Sequence, residues 1–185
     1  MNKRTIVLIG IVLAAALARL LPHPPNMTPI AAMALFGGAC FRRRWVALLL
    51  PLAAMLLSDL ALGYTTYGLW RLVRSQPIVY ACILATTAIG ECIKNRRSIW
   101  QVGSASLAGS ILFFVVTNFA VWASGVMYPL TGTGLAECYM MAIPFFGNTL
   151  AGDAGFTVIL FGGLAILENR LAWMREHKVT EPLSA

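Results

Sequence analysis

Seven of the 185 residues are acidic, and two of them, Asp59 and Asp153, fall inside apolar runs. A carboxylate in such a setting is costly unless it is paired, solvated or protonated. Further polar residues stand where hydrocarbon would penalise them: His23 and Asn26 in the run Pro22-His23-Pro24-Pro25-Asn26, Asn118 with Trp122 one helical turn later, and Asn148 just ahead of Asp153. Tyr64 and Tyr67 lie in the next polar gap. The chemistry these types offer is binding: carboxylates and amides hydrogen-bond a polar ligand, a rim histidine donates or accepts, and aromatic rings stack. Each also has a plainer role. Asp59 can be a solvated interfacial residue, Asp153 a helix cap, Asn118 a contact between helices, and the two tyrosines part of an interfacial aromatic belt.

Catalytic machinery is not written in the chain. There is no Gly-Lys dipeptide and therefore no P-loop, and no H-E-x-x-H, G-x-S-x-G or G-x-G-x-x-G. With no nucleophile and base that can be paired on one face, neither an enzyme nor a cofactor is expected. Cys40, Cys82, Cys92 and Cys138 form no C-x-x-C pair and no zinc spacing, so no metal site is expected either. Cys82 is open to two readings, a small apolar packer or a soft sulfur ligand to a metal-bearing substrate such as a corrinoid cobalt.

The elements that must carry these residues are membrane helices. The chain is 59% hydrophobic and 11% charged, and 39 consecutive residues, Ser98 to Ala136, contain no Asp, Glu, Lys or Arg. A spanning helix needs roughly 20 apolar residues. Six runs qualify as candidate spans, at 5–21, 28–41, 45–63, 76–93, 101–124 and 148–169, within a single transmembrane domain. The second is short, because the prolines before it forbid regular helix. With six crossings, 11 of the 14 Lys and Arg residues fall on one side, and only Arg19, Arg71 and Arg74 fall on the other. That bias puts both termini and the tail 170–185 in the cytoplasm, and the longer segments Leu21–Met27, Gly63–Gln76 and Gly125–Gly147 outside. The basic residues cap apolar segments instead of forming a stripe, so nucleic acid is not expected as a partner and the lipid bilayer is. Residues 1–18 also resemble a cleavable signal, through Lys3, Arg4 and Ala16-Leu17-Ala18. Ala14 and Ala18 give the first span a small-residue face suited to close helix contact, within the bundle or on a second subunit.

The segment Arg19 to Gly38, with its Pro-His-Pro-Pro-Asn run, then Pro51, Met55-Leu56-Leu57-Ser58-Asp59 to Gly63, and Thr117-Asn118-Phe119-Ala120 with Trp122, resembles an uncharacterised bacterial family of membrane transport proteins. That family is similar to the substrate-binding S components of energy-coupling-factor (ECF) vitamin transporters. The resemblance implies an all-α, S-component-like bundle of six transmembrane helices in the bacterial inner membrane. It also implies a site opening outward among His23, Asn26, Asp59, Tyr64, Tyr67, Cys82, Asn118, Trp122, Asn148 and Asp153. Ala14 and Ala18 would dock on a transmembrane coupling subunit whose separate ATPases supply energy, in agreement with the missing P-loop. The expected function is capture of a small molecule for uptake, a vitamin or cofactor precursor, with a cobalamin-like ligand among the candidates. The alternatives are a solitary gradient-driven transporter, with Asp59 or Asp153 carrying the coupling proton, and a membrane scaffold or assembly subunit that transports nothing.

Overall fold

In a bilayer every backbone polar group must be satisfied within the segment, so apolar runs separated by short polar gaps fold as helices. The computed structural model describes residues 2–22, 24–64 and 69–175, without the side chains of 69–75. Among the described residues it contains six α-helices and no strand: α1 Lys3–Ala18, α2 Ile30–Cys40, α3 Arg44–Leu62, α4 Leu69–Cys92, α5 Ile99–Ala123 and α6 Gly132–Arg170. A single 3₁₀ turn, Ala172–Met174, follows. Each helix falls on one of the six expected runs.

Their lengths do not support six full crossings. Three helices, α3, α5 and α6, are long and apolar enough to cross a membrane. Only 33%, 22% and 28% of their apolar windows are buried within the bundle, so most of that apolar surface faces outward, as lipid would require. By contrast α1 has 16 residues and α2 has 11; at about 1.5 Å per residue these reach roughly 24 and 16 Å, against a hydrocarbon core of roughly 30 Å. The proline segment before α2 stays out of helix, which leaves that run only its second part.

α2 is nonetheless the axis of the bundle. All eleven of its residues are buried, and α1, α3, α4, α5 and α6 all pack on it. Glycine makes the closest of these contacts. A Cβ on Gly38 would lie 2.0 Å from the Thr87 carbonyl oxygen of α4, and one on Gly90 would lie 2.3 Å from the Leu35 carbonyl oxygen of α2. Gly37 leaves room in the same way for the ring of Pro51 inside α3. Around this axis Leu8 and Val12 of α1, Met33 and Phe36 of α2, Ala47 and Ala54 of α3, and Leu160 and Leu164 of α6 form one apolar core, with Phe36 meeting Phe161 edge to face at 5.3 Å.

The largest departure from expectation is α6. Pro129, Gly132 and Gly134 in the external segment 125–147 suggest a re-entrant loop and the apolar run Tyr139–Phe146 a separate short helix, yet a single helix of 39 residues starts at Gly132 and runs on through it. Thr131 caps its start by accepting the Gly134 N–H at 3.2 Å. Its first turns then lie on α5, where the Tyr139 hydroxyl donates to the Val115 carbonyl at 2.7 Å and the Phe114 and Phe146 rings sit 4.5 Å apart. Packing has overridden local propensity. At about 1.5 Å per residue the helix extends roughly 58 Å, far beyond one hydrocarbon core. α5 opens on a capping box, Ser98 and Gln101 exchanging hydrogen bonds between side chain and backbone.

The basic residues of the gaps meet at one end. Arg4, 9% exposed, donates to the Met174 carbonyl at 2.9 Å, the Cys40 carbonyl at 3.3 Å and Glu168 at 3.1 Å. Arg97 also pairs with Glu168, at 3.6 Å. Lys94 donates to the Phe41 and Arg42 carbonyls. The acidic residues here pair across gaps, Glu91 taking Arg44 at 3.8 Å. These cations cap the free carbonyls at the C-terminal end of α2, where the helix dipole favours them.

Introducing a methyl group at the α2–α4 contact, as Gly38→Ala or Gly90→Ala, is expected to cost about 1–3 kcal/mol or more through overpacking against backbone that cannot retreat. Gly103→Ala, whose Cβ would meet nothing within 4 Å, should leave stability unchanged. Denaturant unfolding in mixed micelles measures all three; equal stability of Gly38→Ala and Gly103→Ala would refute the close-contact role.

Candidate functional site

At the end opposite the basic cluster, the chain leaves α1 through Arg19, whose N–H groups would otherwise point into an apolar interior. Arg19 Nη1 donates to Asp59 Oδ1 at 2.5 Å and to Ser58 Oγ at 2.6 Å. The Tyr80 hydroxyl, from α4, donates to the other Asp59 oxygen at 3.2 Å. Asp59 is 2% exposed, so α1, α3 and α4 are tied together by a buried ion pair. Arg19, one of three basic residues that break the charge rule, is on this side because its counter-ion is.

The segment between α1 and α2 then turns back over the bundle. Met27 N–H donates to the Pro24 carbonyl at 3.1 Å, and Asn26 takes the left-handed conformation at φ 63°, which asparagine tolerates better than most residues. α6 holds this segment: Asn148 Nδ2 donates to the Pro25 carbonyl at 3.1 Å, and a Cβ on Gly152 would lie 3.1 Å from Met27 Cα. Asn148 is thus a clamp on the proline segment.

Beneath the segment lie two adjoining cavities of about 210 and 250 Å³. The first is lined by Arg19, Asn26 and Thr28 from the α1–α2 side, Met55 of α3, Gln76 and Val79 of α4, Phe113 of α5, and Thr149 and Asp153 of α6. The second is lined by Phe113, Phe114, Thr117, Asn118, Phe145 and Phe146, and shares Asn26, Val79, Phe113 and Thr149 with the first. The first lobe holds the charged side chains, Arg19 and Asp153, and the second holds four phenylalanines. Together they come near the small end of the roughly 300–1,000 Å³ usual for ligand sites.

Two polar atoms here are buried without a hydrogen-bond partner among the described residues: Arg19 Nε and Gln76 Oε1. Asp153, 3% exposed, accepts from Ser110 Oγ at 2.6 Å, and below it Ser106 and Thr157 share a hydrogen bond of 3.1 Å between α5 and α6. The first lobe therefore carries a donor and acceptors that the protein does not satisfy itself, the composition of a wall built to meet a ligand.

Of the residues singled out in the sequence, Asn26, Asn118 and Asp153 line the cavities, although Asn118 spends one donor on the Phe114 carbonyl at 2.8 Å. Asp59 acts one step behind, through Arg19. Trp122 is turned away from both lobes and donates from Nε1 to the Pro129 carbonyl at 3.0 Å, fastening the α5–α6 turn. Tyr64, 89% exposed, and buried Cys82 line neither cavity, and no group of three His, Cys, Asp or Glu able to hold a metal occurs among the described residues. His23 and Tyr67 lie outside the described residues. Ala14 is exposed and Ala18 half-buried. Gln76, Phe113 and Thr149 were not marked by the sequence, whereas Arg19 stood out with Arg71 and Arg74 as an exception to the charge rule, open to two readings, an interface anchor or a group that meets an anionic substrate.

Removing one partner of the buried pair, by Arg19→Met or Asp59→Leu, is expected to cost about 3–5 kcal/mol, because each leaves a charge uncompensated. The double variant should recover much of that loss. Strict additivity in a double-mutant cycle would show that the two groups do not depend on each other.

No curated protein and no solved structure matches this chain. A family model does, over residues 1–177. The chain belongs to DUF6580, a family of unknown function.

Proposed function

We propose that the chain is a membrane-embedded component that captures a small molecule for uptake, in the manner of an S component, and depends on a partner for energy. The observation that carries this reading is the two-lobed cavity. It is walled by α2, α3, α4, α5 and α6 with Arg19 from the end of α1, covered by a pinned proline segment, and lined with polar atoms that await partners. On this reading the cavity opens outside and both termini lie in the cytoplasm of a bacterial inner membrane, an orientation supported by the clustering of cations at the opposite end. The chain then crosses six times, the short α2 being enclosed by protein on every side. The absence of any Walker sequence leaves energy to separate ATPases, and the outward Ala14 with Ala18 offers a face for the coupling subunit.

Capture then follows from the geometry. A ligand entering beside Asn26 and Thr149 meets Arg19 Nε, Gln76 Oε1 and Asp153, while its apolar part displaces water from the phenylalanine lobe. The segment 24–29 is the natural lid, because it lies over the recess and is held to α6 by the Asn148 hydrogen bond and the Gly152 contact.

The chain purified in detergent should carry a small molecule that mass spectrometry of the denatured extract identifies. Adding that compound back should raise the melting temperature by several degrees, as saturating ligand does, and Thr149→Trp, which fills the space shared by both lobes, should abolish the shift. Uptake in a host lacking every ECF module should be absent. Uptake that persists there and collapses with an uncoupler would identify a solitary gradient-driven transporter instead, and a chain that carries no compound and supports no uptake would point to a scaffold.

A further inference from the structure

The cavity wall is not electrically balanced. Among the described residues Arg19 is the only cation that lines it, and its charge is already matched by Asp59 at 2.5 Å. Asp153 faces the same lobe, and no Lys, Arg or His among the described residues forms an ion pair with it. Ser110 Oγ holds Oδ2 at 2.6 Å, and Oδ1 receives no donor from the described residues. Among the described residues the site carries one carboxylate more than it compensates, and a carboxylate buried in that way is costly until it is protonated or a positive charge reaches it.

Two further features fit the same kind of guest. Gln76 Oε1 is a buried acceptor that lacks a donor. The second lobe presents Phe113, Phe114, Phe145 and Phe146, with the Phe114 and Phe146 rings 4.5 Å apart. Phenylalanine faces attract cations and stack on flat rings, and they offer nothing to an anion. Arg19 Nε adds one donor, suited to a neutral acceptor such as an amide or ring carbonyl, since the guanidinium charge is spent.

Resting on the capture reading, we propose that the ligand is a small, flat organic cation, an aromatic ammonium or alkylated ring nitrogen, whose positive group pairs with Asp153 while its ring lies in the phenylalanine lobe. Asp153 is the residue that selects charge. Gln76 accepts from the ligand and Arg19 Nε donates to it, which together orient the ring. The Arg19–Asp59 pair neutralises itself, so that among the described residues Asp153 is the charge left to act on the cavity.

Two matched series test the class directly in the detergent-purified full chain, freed of any co-purifying compound by dialysis. One is 1-methylnicotinamide, nicotinamide and nicotinate; the other is phenethylammonium, phenethyl alcohol and 3-phenylpropanoate. Each series holds the ring while the charge runs from positive through neutral to negative. The cationic member of each should stabilise the chain against heat at least tenfold lower concentration than its neutral partner, and the anionic member should not stabilise it. Asp153→Asn should erase the preference for charge, and Asp153→Glu should keep it. Both variants are read by comparing ligands on one protein, so an altered melting temperature of the variant itself does not obscure the result. Equal or better binding of the neutral or anionic members overturns the cation proposal, as does an unchanged preference in Asp153→Asn. No binding in either series also overturns it, and leaves the capture reading to its own test, the identity of the co-purified molecule.

Discussion

The contact on which the rest of the structure depends is the backbone-to-backbone meeting of α2 and α4 at Gly38 and Gly90. Lipid is as apolar as leucine, so membrane helices gain little from hiding leucine from it and associate through close packing and hydrogen bonds. A helix of 11 residues that is buried on every side can persist only if its neighbours approach closely enough to replace all the surface that lipid would otherwise cover. Gly37, Gly38 and Gly90 permit that approach. Were α2 and α4 a side chain further apart, the Thr86 and Thr87 level of α4 and the α5 face at Gly109 would separate with them, since a Cβ on Gly109 would already lie 3.0 Å from Thr86.

Burying so short a helix creates a second problem, its two unsatisfied ends. The C-terminal end is answered by charge: Arg4 from the start of α1, and Lys94 and Arg97 from the α4–α5 gap, come to the neighbourhood of Cys40, Phe41 and Arg42. The N-terminal end is answered by no such cluster. It opens on Pro29, which has no N–H to satisfy, and on Ile30 and Ala31, which line the first lobe. The cavity exists because α2 stops there; a helix two turns longer would fill it. A fold with one end sealed by cations and the other left as a recess follows from a central helix too short for its bundle.

The six helices were legible because hydropathy and prolines report directly on where helix is affordable in lipid, and their order and approximate positions follow from those signals. Helix ends were not. Pro144 and the glycines of 132–147 signal a loop by propensity, while the contacts of Tyr139 and Phe146 with α5 that hold α6 straight are tertiary and invisible in one dimension. The site was legible in the same measure. Asn26, Asn118 and Asp153 stood out because polarity in an apolar run is anomalous by itself. Arg19 and Asp59 are separated by forty residues, so each looked like a solitary anomaly, and their mutual neutralisation needed the fold. Trp122 shared a helical face with Asn118 in sequence, yet one turn along α5 carried it past the recess to the α5–α6 turn. Gln76 was hidden for a simpler reason, since an uncharged polar residue at the expected start of a span attracts no attention.

The two buried carboxylates therefore differ in kind, although they look alike in the sequence. Asp59 is closed: Arg19 and Tyr80 occupy both of its oxygens, and α1, α3 and α4 are held together in consequence. Asp153 is open: a single hydroxyl from α5 orients it toward the recess, and the polar step to Ser106 and Thr157 beneath it fixes the register of α5 on α6. A bundle that needed Asp153 only for cohesion could have used a serine or asparagine at lower cost, because neutral hydrogen bonds between helices serve that purpose without burying charge. Retaining a carboxylate beside a cavity, with the nearby guanidinium already matched, is an expense that cohesion does not explain and that recognition does.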